Sequence, residues 1–255
     1  MSTLPDIRLA STVILLREEA GTMQVLMVRR NQQIDFMSGA MVFPGGKLET
    51  DDLDPAWRDL VHGWAEVPEI ERAARIAAAR EVFEEAGLLM VHGEDPFISQ
   101  ETDEARKAIE SGTLKFADFV RHQGVRIDIT AFTLFSRWLT PPVVPKRFDT
   151  FFYLAALPTG QVAVSDGRET VETEWIAPDQ ALDLAAKGAR TIVFPTRMNL
   201  KLLSAARTPG EAVAAALLRE ARTVIPAVES RDGRRYLRLT PDLGYGDIEE
   251  QLATS

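Results

Sequence analysis

Residues 69–87, EIERAARIAAAREVFEEAG, constrain the fold more than any other stretch of the chain. Alanine, arginine and glutamate dominate this stretch and favour a helix, and Gly87 suits the position after a helix end, where positive φ is needed. Because successive helical residues turn by about 100°, Glu81, Glu84 and Glu85 share one stripe. Three like charges repel, so the stripe needs either cationic side chains in solvent or a hard divalent cation that takes oxygen ligands.

Strand-like and helical patterns alternate irregularly along the rest of the chain. Runs rich in β-branched and aromatic residues predict strands, and Gly21 between the first two runs predicts a hairpin. The predicted strands are STVILLREE, MQVLMVRR, GAMVFPGG (which we expect to end at the Pro-Gly-Gly turn), DITAFTLFSRWLTP, RFDTFFYLAALP and VETEWIAP. The other predicted helices are ETDEARKAIESG, KFADFVRHQG, PDQALDLAAKG, PTRMNLKLLSAA and TPGEAVAAALLREA. This order indicates a mixed α/β (α+β) sandwich and not a doubly wound sheet.

Composition limits the classes of function. The 255 residues carry a net charge of −9, which argues against a nucleic-acid or anionic-membrane surface. We expect no signal peptide and no membrane span, since no apolar run approaches about 20 residues. The absence of cysteine removes disulfides, thiol nucleophiles and thiolate metal sites, and we expect a cytoplasmic protein.

The motif FPGG followed by REVFEEAGL resembles the signature of the Nudix hydrolases. That signature is a glycine, five residues, a glutamate, seven residues, and then Arg-Glu-apolar-x-Glu-Glu-x-Gly-apolar. The second half matches at Arg80, Glu81, Val82, Glu84, Glu85, Gly87 and Leu88. The resemblance implies an α/β/α sandwich with a mixed sheet, and hydrolysis of a nucleoside diphosphate derivative with Mg²⁺ or Mn²⁺.

The same resemblance assigns roles to the matching residues. It implies that Glu81, Glu84 and Glu85 are metal ligands, with Glu81 and Glu85 the main catalytic candidates. Arg80 is expected to pair with a nearby carboxylate and hold the helix against the preceding loop, and Gly87 is expected to be structural.

The first half of the signature is interrupted by an insert at about residues 48–70. Counting back from Arg80 over the usual spacing reaches Arg72, with Glu71 beside it. Glu49, Glu69 and Glu71 all remain candidates for the first glutamate.

A longer pattern over residues 8–206 resembles the branch of larger Nudix proteins related to the mammalian peroxisomal coenzyme A diphosphatase. In that branch the implied substrate is coenzyme A or an acyl-CoA, cleaved to 3′,5′-ADP and 4′-phosphopantetheine. A helical insert is expected at about 100–123, and a C-terminal helix and hairpin extension at 207–255. ADP-ribose or a nucleotide sugar is the alternative substrate, and a catalytically silent Nudix-fold binding module is the alternative class.

Further site candidates lie outside the signature helix. A general base is expected among Glu169, Glu172 and Glu174, and Glu172 is preferred. Gly45 and Gly46 allow the backbone to approach phosphate closely, and arginine forks suit phosphate. The candidate phosphate-binding cations are Arg29, Arg30, Lys146 and Arg147. The three histidines show no ligand-like spacing and are given no role.

The Ala-rich AVAAALL stretch forms an apolar helix face, which is expected either to pack on the domain or to form a homodimer.

Overall fold

The computed structural model describes residues 7–31, 39–93, 100–144, 146–168, 170–220 and 222–252. The strands in these residues are β1 (Ile7–Glu19), β2 (Thr22–Arg30), β3 (Met41–Val42), β4 (Gly45–Lys47), β5 (Val61–His62), β6 (Ile127–Asp128), β7 (Thr133–Leu139), β8 (Arg147–Ala156), β9 (Thr170–Ile176), β10 (Thr223–Val224), β11 (Ala227–Arg231), β12 (Arg234–Leu239) and β13 (Ile248–Gln251). The α-helices are α1 (Trp57–Leu60), α2 (Glu69–Ala86), α3 (Gln100–Glu110), α4 (Phe116–Gln123), α5 (Pro178–Ala186), α6 (Phe194–Leu203) and α7 (Pro209–Leu218).

The central sheet is built on the predicted hairpin of β1 and β2. Its described strands follow the order β10–β7–β8–β1–β2–β3, with β4 added beside β1 and β9 beside β2. β1 runs parallel to β8 and antiparallel to β2 and β4, so the sheet is mixed, as expected.

Helices cover both faces of this sheet. Successive strand residues point to opposite faces, so Val13 and Leu15 pack in one core with α2 and α4, whereas Ile14 and Leu16 pack in another with α5, α6 and α7. The predicted α/β/α sandwich is therefore confirmed.

Helix α2 occupies the predicted residues and ends as expected. Gly87 adopts φ 68°, in the left-handed region, and its N–H donates to the Phe83 carbonyl at 3.0 Å. The helix stop therefore follows from local chemistry.

The Gly-Gly segment differs from the prediction, and the insert contains only short elements. Gly45 and Gly46 do not form a terminating turn, because they lie within β4 and pair with Thr12 and Ser11 of β1. The insert contains a 3-10 helix (Thr50–Leu53), α1 and the two-residue β5, which pairs in parallel with β6. Strands of two residues are too short to show a periodicity, so the sequence did not reveal them.

The C-terminal segment packs on the same core. β10 pairs with β7 at the edge of the central sheet, and Leu237 and Leu239 of the β11–β13 sheet join the core that contains α5, α6 and α7. Helix α7 leaves Leu217 and Leu218 exposed, and the homodimer stays a prediction. None of the helices in the described ranges combines the length and apolarity needed to cross a bilayer.

Candidate metal and active site

Arg80 ties the signature helix to the insert through a buried ion pair. Its Nε donates to Asp52 Oδ1 at 3.0 Å and its Nη2 donates to Asp52 Oδ2 at 2.9 Å. The two side chains are 5% and 2% exposed. Nη2 also donates to the Lys47 carbonyl at 2.9 Å, so one guanidinium holds α2 against both β4 and the 3-10 helix that follows it.

Asp52 is the carboxylate that the sequence analysis missed. It lies six residues after Gly46, which is the spacing that the signature requires between its glycine and first glutamate. Counting forward from Gly46 finds it, whereas counting back from Arg80 crosses the insert and fails. An aspartate at this position also escapes a search for glutamate.

The three earlier candidates for the first glutamate have other surroundings. Glu71 pairs with Arg75 one helical turn away, at 2.8 Å. Glu49 precedes the 3-10 helix, and its N–H donates to Asp52 Oδ2 at 2.8 Å. Glu69 begins α2 and is exposed. Asp52, and not one of these glutamates, accepts the Arg80 fork.

Glu81, Glu84 and Glu85 gather where α2 meets β4. Glu81 Oε1 accepts a hydrogen bond from Arg80 Nη1 at 2.9 Å, and Glu84 Oε2 lies 3.3 Å from the same nitrogen. Glu85 Oε2 accepts from the Gly45 N–H at 3.1 Å. Glu81 and Glu85 are buried, so these carboxylates do not form a solvated helix face.

The two glycines of β4 make this close approach possible. A methyl group on Gly46 would lie 2.4 Å from Glu81 Oε1, and one on Gly45 would lie 2.4 Å from the Ser11 carbonyl oxygen. Both separations are far below van der Waals contact, so a side chain at Gly46 would displace the Glu81 carboxylate and one at Gly45 would push β4 away from β1.

The carboxylates outnumber the positive charge available to them. Burial raises the pKa of Glu81 to about 8, although Arg80 acts to lower it and Glu84 raises it further. Burial likewise raises the pKa of Glu84 to about 7, again against the effect of Arg80. Burial by itself would lower the pKa of Arg80, but the hydrogen bond to Asp52 and the neighbouring carboxylates raise it well above its ordinary value.

This group of side chains fits a hard divalent cation. Its donors are all carboxylate oxygens, the ligands that Mg²⁺ and Mn²⁺ prefer. Arg80 alone cannot balance the charges of Asp52, Glu81, Glu84 and Glu85, and burial, with a smaller contribution from neighbouring carboxylates, raises the pKa values of Glu81 and Glu84 despite Arg80. A bound divalent cation would supply the missing charge.

The structure does not bring Glu172 to these glutamates. Glu172 faces Arg29 across β9 and β2, and Arg29 Nε lies 2.8 Å from Glu172 Oε2. Residues two apart in a strand share a face, so this partly exposed pair lies on the same face as Met27 and Ile176, which pack in the core with α5 and α6. The pair therefore lies on the sheet face opposite α2, and Arg29 has its own carboxylate partner. Glu169 lies outside the described residues.

Arg30 lies nearer to the end of α2. The pairing of β2 and β9 shifts register between Arg29 and Arg30, so that Arg30 lies opposite Thr170. Thr170 Oγ1 donates to the Glu85 carbonyl at 3.2 Å. Among the described residues, the buried Nε of Arg30 has no hydrogen-bond partner.

The remaining cation candidates lie at the β7–β8 connection. Arg147 is buried, and its Nε donates to the Thr140 carbonyl at 3.0 Å. Lys146 is exposed beside it. The described contact of Arg147 is therefore with the chain itself.

A second arginine that the sequence did not reveal braces the end of α2. Arg106 of α3 is buried, and its Nε donates to the Glu84 carbonyl at 2.7 Å while Nη2 donates to the Val164 carbonyl at 2.8 Å. A cation at a helix C-terminus satisfies the unpaired carbonyls and the helix dipole. The helical insert thus supports the turn that carries Glu84 and Glu85.

The architecture is that of the Nudix fold. A solved NUDIX hydrolase from Alicyclobacillus acidocaldarius superposes with a TM-score of 0.72 and is 25% identical, covering 83% of this chain and 97% of that protein. The overall arrangement of strands and helices therefore occurs in a known class of structure.

Sequence comparisons give the family. A family model described as the NUDT19 Nudix domain matches residues 65–201, more than half of the chain. The chain belongs to this NUDT19 Nudix family, as the resemblance of its motifs predicted.

Curated relatives support this assignment. The acyl-coenzyme A diphosphatase NUDT19 of Xenopus laevis is 27% identical over 206 residues, covering 63% of this chain and 54% of the relative. The Homo sapiens protein of that name is 27% identical over 205 residues, with coverage of 63% and 55%. The putative nudix hydrolase 7 of Caenorhabditis elegans is 30% identical over 201 residues, with coverage of 77% and 60%. The chain thus spans between half and two thirds of the length of these relatives.

Proposed function

We propose that this protein hydrolyses the diphosphate linkage of a nucleoside diphosphate derivative, using Mg²⁺ or Mn²⁺, and that its substrate is coenzyme A or an acyl-CoA. The observation that carries the proposal is the buried, undercompensated carboxylate group of Glu81, Glu84 and Glu85 against β4. The names of the NUDT19 relatives support the choice of substrate class.

Each side chain of the site has a proposed task. Glu81, Glu84 and Glu85 would hold the cation, which when bound polarises a phosphoryl oxygen and lowers the pKa of water. Arg80 orients Glu81 and Glu84 through Nη1, and the Gly45 N–H orients Glu85. These contacts fix the carboxylates before substrate arrives, which lowers the cost of organising the site.

Arg30 is the phosphate-binding residue that the geometry favours. Its place opposite Thr170, which contacts the Glu85 carbonyl, sets it beside the carboxylate end of α2. Hydrolysis adds the elements of water across the P–O–P bond. From coenzyme A this gives 3′,5′-ADP and 4′-phosphopantetheine.

A substrate panel tests the proposal. Purified protein with Mg²⁺ or Mn²⁺ is incubated with coenzyme A, acyl-CoAs, ADP-ribose, NADH and diadenosine polyphosphates, and the products are separated by chromatography. We expect cation-dependent release of 3′,5′-ADP from coenzyme A or an acyl-CoA. Turnover of ADP-ribose without coenzyme A would refute the substrate assignment, and binding without turnover of any compound would identify a silent Nudix module.

A further inference from the structure

Two of the three histidines meet an aspartate away from the carboxylate site. His62 lies in β5, Asp128 in β6, and His92 in the segment after α2. One ligand atom from each residue lies within 4.8 Å of the others. The residues are far apart in sequence, so only the fold brings them together.

Backbone pairing fixes this arrangement. In the parallel pairing of β5 with β6, His62 lies directly opposite Asp128. On the other side of β6, the His92 N–H donates to the Arg126 carbonyl and the Asp128 N–H donates to the Met90 carbonyl, each at 2.9 Å. Three short segments are thus held in register with these side chains next to one another.

Asp128 presents its second carboxylate oxygen to the two histidines. Its Oδ1 accepts from the Thr130 N–H at 2.9 Å and from Thr130 Oγ1 at 2.6 Å. Its Oδ2 lies 3.6 Å from His92 Nδ1, which is too long for a hydrogen bond. Two ligands of one tetrahedral zinc ion are about 3.4 Å apart, given metal–ligand distances of about 2.0 to 2.2 Å.

The two imidazole rings lie against each other. His62 and His92 are stacked, with ring centroids 3.5 Å apart and an angle of 12° between the planes. In this stack the in-plane lone pairs of the two rings run nearly parallel, so one imidazole must turn about its Cβ–Cγ bond before both rings can bind one ion. The His92 side chain is 49% exposed, so an ion can enter from solvent.

We propose that His62, His92 and Asp128 form a second metal site, distinct from the glutamate site and specific for Zn²⁺ or a similar imidazole-binding transition metal. Imidazole favours such ions over Mg²⁺, which prefers oxygen ligands. The chain contains no cysteine, so no thiolate is available and histidine supplies the nitrogen ligands of such a site. Three protein ligands leave one tetrahedral position for solvent.

The bound ion would cross-link the insert to the rest of the fold. It would join β5, which belongs to the same insert as Asp52, to β6 and to the segment that follows α2. A metal that binds only the folded chain stabilises it. We therefore expect Zn²⁺ to raise the melting temperature.

Zinc titration of the untagged, chelator-treated full chain tests the proposal. The background variant is Glu81→Gln/Glu85→Gln, which disables the glutamate site. In this background we expect one tight Zn²⁺ equivalent, measured by competition with a chromophoric chelator, and a matching rise in melting temperature. Loss of all tight Zn²⁺ binding in this folded background would overturn the proposal.

Ligand substitutions in the same background complete the test. His62→Gln and His92→Gln should each weaken Zn²⁺ binding by at least about 100-fold, because even second-shell losses cost about 10- to 100-fold. Asp128→Asn keeps an acceptor for Thr130 and should weaken binding by at least about 10-fold. His122→Gln is the matched control, since His122 is exposed on α4, and it should leave binding unchanged. Unchanged affinity in the folded His92→Gln and Asp128→Asn variants would refute the site.

Discussion

Replacing Asp52 with asparagine tests the buried link between the insert and the signature helix. Asp52 and Arg80 share two hydrogen bonds of 3.0 and 2.9 Å, with side chains 2% and 5% exposed. Removing one partner of a buried ion pair costs about 3 to 5 kcal/mol. In Asp52→Asn, Arg80 keeps Glu81, Glu84 and the Lys47 carbonyl as partners. We therefore expect the free energy of unfolding to fall by about 3 kcal/mol, the lower end of that range.

The consequence is measurable in both stability and activity. A loss of about 3 kcal/mol in a chain of this size lowers the melting temperature by about 6 to 12 °C. Urea denaturation should show a lower midpoint with an unchanged slope. Diphosphate hydrolysis should also fall, because the guanidinium that orients Glu81 and Glu84 loses its anchor.

Asp51→Asn is the matched control for this experiment. Asp51 is the preceding residue, but its ion pair with Lys115 is exposed on both sides, and such pairs contribute about 0 to 1 kcal/mol. Asp52→Glu, which restores the residue of the common signature, should retain more activity than Asp52→Asn. Equal unfolding free energies for Asp52→Asn and Asp51→Asn would refute this account of the pair.

Three further substitutions probe the site. Gly46→Ala should lower turnover by about 100-fold, since a misplacement of about 1 Å has that effect and the new methyl group would lie 2.4 Å from a glutamate oxygen. Gly210→Ala, whose nearest neighbour would lie at 4.0 Å, should be harmless in the same kinetic assay. Glu85→Gln should abolish cation-dependent hydrolysis while the circular dichroism spectrum stays native, and full activity would contradict the metal-site assignment. Arg106→Met removes two hydrogen bonds to carbonyls at and beyond the end of α2 and should cost about 2 to 3 kcal/mol in urea denaturation. Arg121→Met, at an exposed ion pair, should cost under about 1 kcal/mol, and similar losses in both variants would contradict the bracing role of Arg106.

Features with local physical causes were predictable from sequence. Helix α2 follows from residue propensity, and its end follows from the positive φ that Gly87 adopts. The stripe of Glu81, Glu84 and Glu85 follows from helical periodicity. The mixed α/β class follows from the order of the predicted strands and helices.

Features that depend on spatial pairing were missed or misplaced. Glu172 was a reasonable base candidate in a short acidic stretch, but its strand register turns it toward Arg29 on the face away from α2. The histidines showed no ligand spacing along the chain, yet the pairing of β5 with β6 brings His62 next to Asp128. The pairing register between strands that are distant in sequence cannot be inferred from the residue pattern of either strand.

The sequence by itself therefore determined the helix and its carboxylate stripe, because these depend on residues within one or two helical turns of each other, and it determined the family through motifs that match residue by residue. The tertiary structure decided which carboxylate meets Arg80. The insert folds back so that Asp52, 28 residues from Arg80 in the chain, fills the place of the first glutamate. Burial of that pair against β4 makes the contact strong, and burial is a property of the packed domain and not of the local sequence.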